Sequence, residues 1–382
     1  MRLPKKFTIL SLFLLILVVS IPLAYYVAKR DHWNALATLE SNGVVITYRR
    51  PEPSALDKWL GVYRFDSLKK VSQPLSPPPP TFDASGLIAR LHNLQEYFDS
   101  QIHCADESYS FLLPHAKTLK VLEIERLPPK PAEFFGNFTA LEQLVSEVPI
   151  DLSWFPNSEK ITELEFVTAV PTNVNSCSNL TKLTVHGIGG MSPMNDDIDV
   201  KQIADLESLI SLTLRDLTSL KDIGPLKSLA NLKHLDVSRT SVVDYSVVAD
   251  LKGLRHLTAN QNEFRIAPKF SAGSKIESID LRSSSVRDPK CFRNLDHLRF
   301  LAFDGFPERA ISLSELGDLP ALETLIILRA RISNAEVGKL PGIATIIFAD
   351  CEVSPQIQTD LESALPPSTI VVESNVSNPR QD

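Results

Sequence analysis

Apolar residues fall along this chain in a repeating figure rather than in isolated blocks. The figure is L-x-x-L-x-L, with other apolar side chains admitted. It recurs as Leu119/Leu122/Ile124, Ile161/Leu164/Phe166, Leu180/Leu183/Val185, Leu209/Leu212/Leu214, Leu232/Leu235/Val237 and Leu254/Leu257/Ala259. Four more follow, at Ile276/Ile279/Leu281, Leu298/Leu301/Phe303, Leu322/Leu325/Ile327 and Ile343/Ile346/Phe348. Leu141/Leu144/Ser146 is a degenerate member, and Thr369 to Val372 reads as a closing strand. The starts at 209, 232, 254, 276 and 298 lie 23, 22, 22 and 22 residues apart, a regularity that marks a stacked array of like units.

The alternation in x-L-x-L-x predicts a short strand whose every second side chain points inward. Between strands the spacing changes. Leu217, Leu220, Ile223, Leu226 and Leu229 place an apolar group at every third residue, the period of a 3₁₀ return. One such unit cannot cover its own apolar face, whereas a stack shares a continuous core. The predicted fold is therefore an α/β repeat solenoid over residues 82–375: an arc with a parallel, concave β-sheet and short 3₁₀ or α segments on its convex side. A short disordered tail, 376–382, follows.

A different pattern opens the chain. Arg2, Lys5 and Lys6 precede an apolar run from Phe7 to Ala28, closed by Lys29 and Arg30. At about 1.5 Å per residue a helix of that length spans the roughly 30 Å hydrocarbon core of a bilayer. Tyr25 and Tyr26 stand where interfacial aromatics are expected. The run is longer than the apolar stretch of a cleavable signal, so residues 1–30 read as a signal-anchor helix. The slight excess of positive charge before it predicts a cytoplasmic N-terminus and a bulk outside the cytosol; the alternative is secretion after cleavage. Residues 31–73 form a small mixed segment, with a helix from His32, a strand from Gly43 to Arg49 and an apolar cluster at Trp59, Leu60, Val62 and Phe65. Pro77 to Pro80 stiffen the spacer at 74–81 into polyproline II.

The stretch from Leu209 to Val242 resembles the short leucine-rich repeats of bacterial surface proteins, internalins among them. The layout as a whole is similar to membrane-anchored bacterial repeat proteins: an apolar N-terminal helix, a strand in LESNGVVITY (Leu39 to Tyr48), a WLG cluster (Trp59 to Gly61), then the repeats. The resemblance spans about residues 91–372. It implies the arc-shaped fold and a binding role, with no cofactor. One departure stands out. Asparagine is usual eight residues beyond the first leucine, but only Asn262 supplies it, with Thr240, Ser284 and Cys351 in its place elsewhere. A loosely built polar ladder is expected.

Outward strand positions form columns where a partner would dock. Early repeats offer an acidic zone of Glu123, Glu125, Glu142, Glu147, Glu163 and Glu165. The middle repeats offer His186, Arg215, His234, Asp236, Arg239, His256, Asn260, Arg282, Arg299 and Asp304, a mixture suited to charge-assisted hydrogen bonds with a protein or glycan. Late repeats turn apolar at Ile326, Leu328, Ile347 and Val371, a candidate interface for a partner or a second copy. His234 and His256 fall side by side on adjacent strands, the arrangement of a metal pair or a pH switch, although no third ligand is in register. An insertion from Gly187 to Val200 carries Asp196, Asp197 and Asp199, of which Asp197 or Asp199 is expected to cap a short helix.

Composition adds limits rather than direction. A net charge of −7 without a dense Lys/Arg run argues against nucleic acid. Cys104, Cys177, Cys291 and Cys351 are too scattered for a disulfide framework or a metal knuckle. Hydrolase, zincin, P-loop and dinucleotide signatures are all missing from the sequence, which argues against an enzyme. The sequence thus predicts a tethered binding protein, with a self-associating envelope component as the alternative.

Overall fold

The structure is a computed structural model, described here for residues 34–39, 45–48, 68–72, 84–91, 94–98, 108–187, 198–264, 268–271, 273–306, 308–334, 342–364 and 370–373. The apolar run 7–28, the Trp59 cluster, the proline spacer, most of the 187–200 insertion and the tail lie outside those residues. Among the described residues no helix is long and apolar enough to cross a membrane. The chain divides into two units, Met1–Leu144 with Trp154–Asn157, and Val145–Ser153 with Ser158–Asp382. That division runs through the repeat region itself.

In the first unit, β1 (Val45–Tyr48) pairs antiparallel with β2 (Leu68–Ser72). Parallel pairing then carries β2 to β3 (Glu96–Tyr97) and β3 to β4 (Val121–Ile124). Its core sets a cluster of aromatic rings beside buried Leu94, Leu119 and Leu122. Phe134, Phe135 and Phe138, from the helix Pro131–Phe135 and the turn after it, pack on one another, and Phe135 also stacks on Trp154. The boundary between the units falls within β5 (Gln143–Ser146).

The second unit is one long parallel ladder. Its strands run β6 (Glu163–Val167), β7 (Lys182–His186), β8 (Ser211–Arg215), β9 (His234–Asp236), β10 (His256–Thr258), β11 (Ser278–Ser285) and β12 (Phe300–Asp304). A separate strand, β13 (Ala310–Ser312), precedes β14 (Thr324–Leu328), and β15 (Arg331–Asn334) precedes β16 (Thr345–Ala349). After β17 (Glu352–Val353) and a helix at Pro355–Ala364, β18 (Ile370–Glu373) closes the ladder. Within this unit β6 to β12, β14, β16 and β18 neighbour one another in that order in the main sheet; β13, β15 and β17 form a small one.

Register makes the core legible. Leu164, Leu183, Leu212, Leu235, Leu257, Ile279, Leu301, Leu325 and Ile346 pair each with the next across the whole ladder. Every one of them is buried. Because each repeat adds a leucine or isoleucine at the same place, the row forms an unbroken apolar spine. Returning segments supply the other wall: Leu217, Leu220, Ile223, Leu226 and Leu229 are all buried, around a 3₁₀ turn at Gly224–Ser228. Late returns differ from the expected 3₁₀ path alone. They carry β-branched Ile311, Ile332 and Val353, which suit extended backbone and pair in register across the small sheet. Asp199 caps the helix Val200–Ala204 by accepting from the Lys201 amide at 3.0 Å.

The polar ladder is tighter than the sequence suggested. Asn262 accepts from the Thr240 amide at 2.8 Å and donates to the Val237 carbonyl at 2.8 Å and the Tyr245 hydroxyl at 2.5 Å. Its own amide donates to Ser284 Oγ at 2.9 Å, and that hydroxyl donates to the Ala259 carbonyl at 2.8 Å. Ser284 thus does an asparagine's work with a shorter side chain, its hydroxyl reaching a carbonyl of the preceding repeat, whereas the Thr240 hydroxyl donates to Val237 of its own repeat.

One residue before this ladder position the backbone turns left-handed: Thr168, Asp216, Arg239, Gln261, Ser283, Arg329 and Asp350 have φ between 47° and 66°. That conformation costs about 1–2 kcal/mol for a residue with a β-carbon. At all of these but Asp350 an amide hydrogen bond to the next repeat holds it, as from Arg239 to the Asn260 carbonyl at 2.9 Å and from Gln261 to that of Arg282 at 3.0 Å. Gly187 and Gly305 occupy the same position without turning left-handed. A β-carbon there would overlap the Asp216 carbonyl oxygen or the Ala330 side chain.

Candidate binding face

Side chains between the inward leucines form the outer face of the second unit, and β7 to β12 carry most of the predicted site. At its middle the His234 and His256 rings stack with centroids 4.5 Å apart and planes within 2°, because their strands pair in register at these two residues. Burial, then the neighbouring His256, Lys233 and Arg255, hold the His234 imidazole below its ordinary pKa; Glu277 opposes them weakly. Neutral rings can stack face to face at this distance, whereas two imidazolium rings would repel. Among the described residues no group of three or more metal-ligating side chains is present.

Around the pair, charges are already matched. Arg215 lies 3.3 Å from Asp236, whose other contacts are the amide and hydroxyl of Ser238 at 3.0 and 2.6 Å. Arg239 donates to Gln261 at 2.6 Å and to Asp216 at 3.2 Å. Arg282 clasps the carboxylate of Asp280 at 2.7 and 2.9 Å, which raises its own pKa. Such exposed pairs add little stability, but they orient long side chains before any partner arrives. His186 ends β7, half-buried. Asn260 keeps a buried Oδ1 that accepts no hydrogen bond among the described residues.

Two residues sit otherwise than expected. Asp304 does not face outward: it is 1% exposed, accepts from the Ser283 amide at 2.6 Å and is ion-paired with Arg329. Burial raises its carboxyl pKa while these partners oppose the shift. The left-handed turn at Ser283 aims an amide at it, so Asp304 serves the backbone rather than a ligand. Arg299 precedes β12 instead of lying on it, 3.6 Å from Glu323.

Ile326 and Ile347 pair directly across β14 and β16, as do Leu328 and Ala349, and all four are half-buried. Val371 continues the first row on β18, although its side chain lies outside the described residues. In the early acidic zone Glu123 is nearly buried, while Glu147 is exposed.

Beyond the ends of β10, β11 and β12 lies a pocket that strand periodicity gave no sign of. About 390 Å³ in volume, it is lined by Gln261, Asn262, Glu263, Phe264, Ser283, Ser285, Arg287 and Phe306. Its residues come from three successive repeats, at positions that sequence reading assigned to connections. Phe306 standing eight residues beyond Leu298, in the asparagine position, was the one available signal.

Among solved structures, an internalin of Listeria monocytogenes overlays 75% of this chain and 82% of its own, with a TM-score of 0.54 at 19% identity. The chain has the leucine-rich repeat fold. A leucine-rich repeat protein of Leptospira interrogans matches 85% of this chain and 100% of its own at 16% identity and a TM-score of 0.43. A plant peptide hormone receptor, solved with its peptide, matches 74% of this chain and 47% of its own at 14% identity and 0.45. No family profile and no curated protein matches the sequence. The leucine-rich repeat assignment therefore rests on three-dimensional likeness together with the register of the leucine spine.

Proposed function

We propose that this chain is a membrane-tethered leucine-rich repeat protein that docks another protein on the outer face of its strand ladder, on the extracytoplasmic side. The observation that carries this reading is the middle of the second unit, where stacked His234 and His256 are flanked by arginines already held in place by Asp236, Asp216 and Asp280. Pre-oriented side chains lose less freedom on binding, and a row of parallel strands offers a broad surface rather than the enclosed pocket that catalysis favours. The tether rests on the apolar run Phe7 to Ala28, and the orientation on the charges around it. A glycan ligand would use the same polar groups.

The test is cross-linking of the full chain in its native membrane, with captured proteins identified by mass spectrometry. A partner held by the native chain, lost from His234→Glu/His256→Glu and kept by the return-side variant Lys252→Glu, is the expected result. Equal capture by all three would overturn the placement of the face. The paired Ile326 and Ile347 favour self-association as a second reading; Ile326→Lys/Ile347→Lys should then abolish chain-to-chain cross-links.

A further inference from the structure

The pocket beyond the strand ends has a chemistry that the strand face lacks. Arg287 lies on its wall with the guanidinium carbon 5.0 Å from the centroid of the Phe306 ring. The neighbouring arginines are committed: Arg282 to Asp280, Arg309 to Glu315 and Asp288, Arg329 to Asp304 and Arg331 to Glu352. Arg287 makes no ion pair among the described residues. Its backbone carbonyl is occupied, accepting from the Arg309 guanidinium, so the segment is anchored while the side chain keeps its donors. A guanidinium resting its face on a ring leaves the N–H edge free for a carboxylate.

The rest of the lining agrees. Phe264, 7% exposed, packs edge-on against buried Tyr245 at 4.6 Å and gives the pocket an apolar floor. Ser283 and Ser285 add hydroxyls to the lining. Gln261 uses its carbonyl oxygen on Arg239, which turns its amide nitrogen away from that arginine as a further donor. Glu263 on the wall disfavours a ligand carrying several negative charges. The site therefore suits one carboxylate attached to one apolar group, with room for about a single residue.

We infer that this pocket captures the carboxyl-terminal residue of a protein partner, with the terminal carboxylate on Arg287 and an apolar side chain between Phe264 and Phe306. A terminal residue presents both groups on one carbon. An internal aspartate has no apolar arm, and an internal apolar residue has no charge. This inference rests on the binding reading above and names the chemistry the partner would present next to the strand face.

The test uses the full chain in mild detergent and two peptides, acetyl-Gly-Ala-Phe with a free carboxyl terminus and the same peptide as its carboxamide, titrated up to ~10 mM. The free acid should bind about tenfold more tightly, the worth of one charge-assisted contact. Arg287→Gln should erase that preference while leaving the melting curve unchanged, Arg287→Lys should retain part of it, and Phe306→Ala should weaken both peptides together. Equal binding of acid and amide, no binding of either, or a preference that survives Arg287→Gln would each overturn the inference. The two readings fail separately: a partner captured by Arg287→Gln but lost from the His234/His256 variant leaves the strand face standing and removes the pocket, whereas one captured equally by the His234/His256 variant removes the strand face.

Discussion

Replacing Asn262 by alanine isolates what the polar ladder contributes. Its side chain is 6% exposed and touches three repeat-linking groups: the Thr240 amide, the Val237 carbonyl and the Tyr245 hydroxyl. These losses are not equal. The Val237 carbonyl keeps a second donor, the Thr240 hydroxyl at 2.9 Å, so its share is small. The Thr240 amide has no such reserve, and a buried donor left without its acceptor costs about 1–3 kcal/mol. The Tyr245 hydroxyl, on a side chain with no solvent exposure, loses a close donor worth about 1 kcal/mol. Asn262→Ala should therefore destabilise the second unit by about 3 kcal/mol. Urea unfolding followed by circular dichroism measures the total, and hydrogen exchange at the Thr240 amide reads the local part, since repeats open in segments. In a Tyr245→Phe background the same change should cost about 1 kcal/mol less, the coupling of the two partners. A loss under about 0.5 kcal/mol with unchanged Thr240 protection would refute the ladder as a structural element.

Two further outcomes follow from the packing and the charges. Gly305→Ala should lower the urea midpoint by the equivalent of about 1–3 kcal/mol, because its β-carbon would overlap Ala330; adding Ala330→Gly should restore most of the loss, and no recovery would place the strain elsewhere. His234 should titrate by NMR below the ordinary histidine value, and His256→Gln should move it upward without bringing it fully back, since burial is the larger cause. The folded pKa is depressed, so the folded state binds fewer protons than the unfolded chain between the ordinary histidine pKa and that of His234. Stability should accordingly fall as pH drops through that window, and a His234 midpoint at or above the ordinary value would contradict the stacked geometry.

The leucine spine was readable because it needs only local information. A 22-residue period and strict alternation set which side chains enter the core, and stacking then repeats that choice, so Leu212, Leu235 and Leu257 fall into one buried row without reference to any distant residue. The pairing of His234 with His256 follows from the same period. Asp304 shows where that logic stops. It occupies an outward position by count, yet the left-handed turn at Ser283 in the preceding repeat and Arg329 in the following one draw it inside. The polar ladder is a similar case: Ser284 looks like a loss against asparagine until the distance between neighbouring turns shows that its shorter side chain reaches. Periodicity determined which residues enter the leucine spine and which strand positions alternate with them. Only the tertiary structure decided which outward charges are spent on one another, which are buried, and that Phe264, Arg287 and Phe306 meet in a pocket, because each of those outcomes depends on the backbone turns of two or three successive repeats at once.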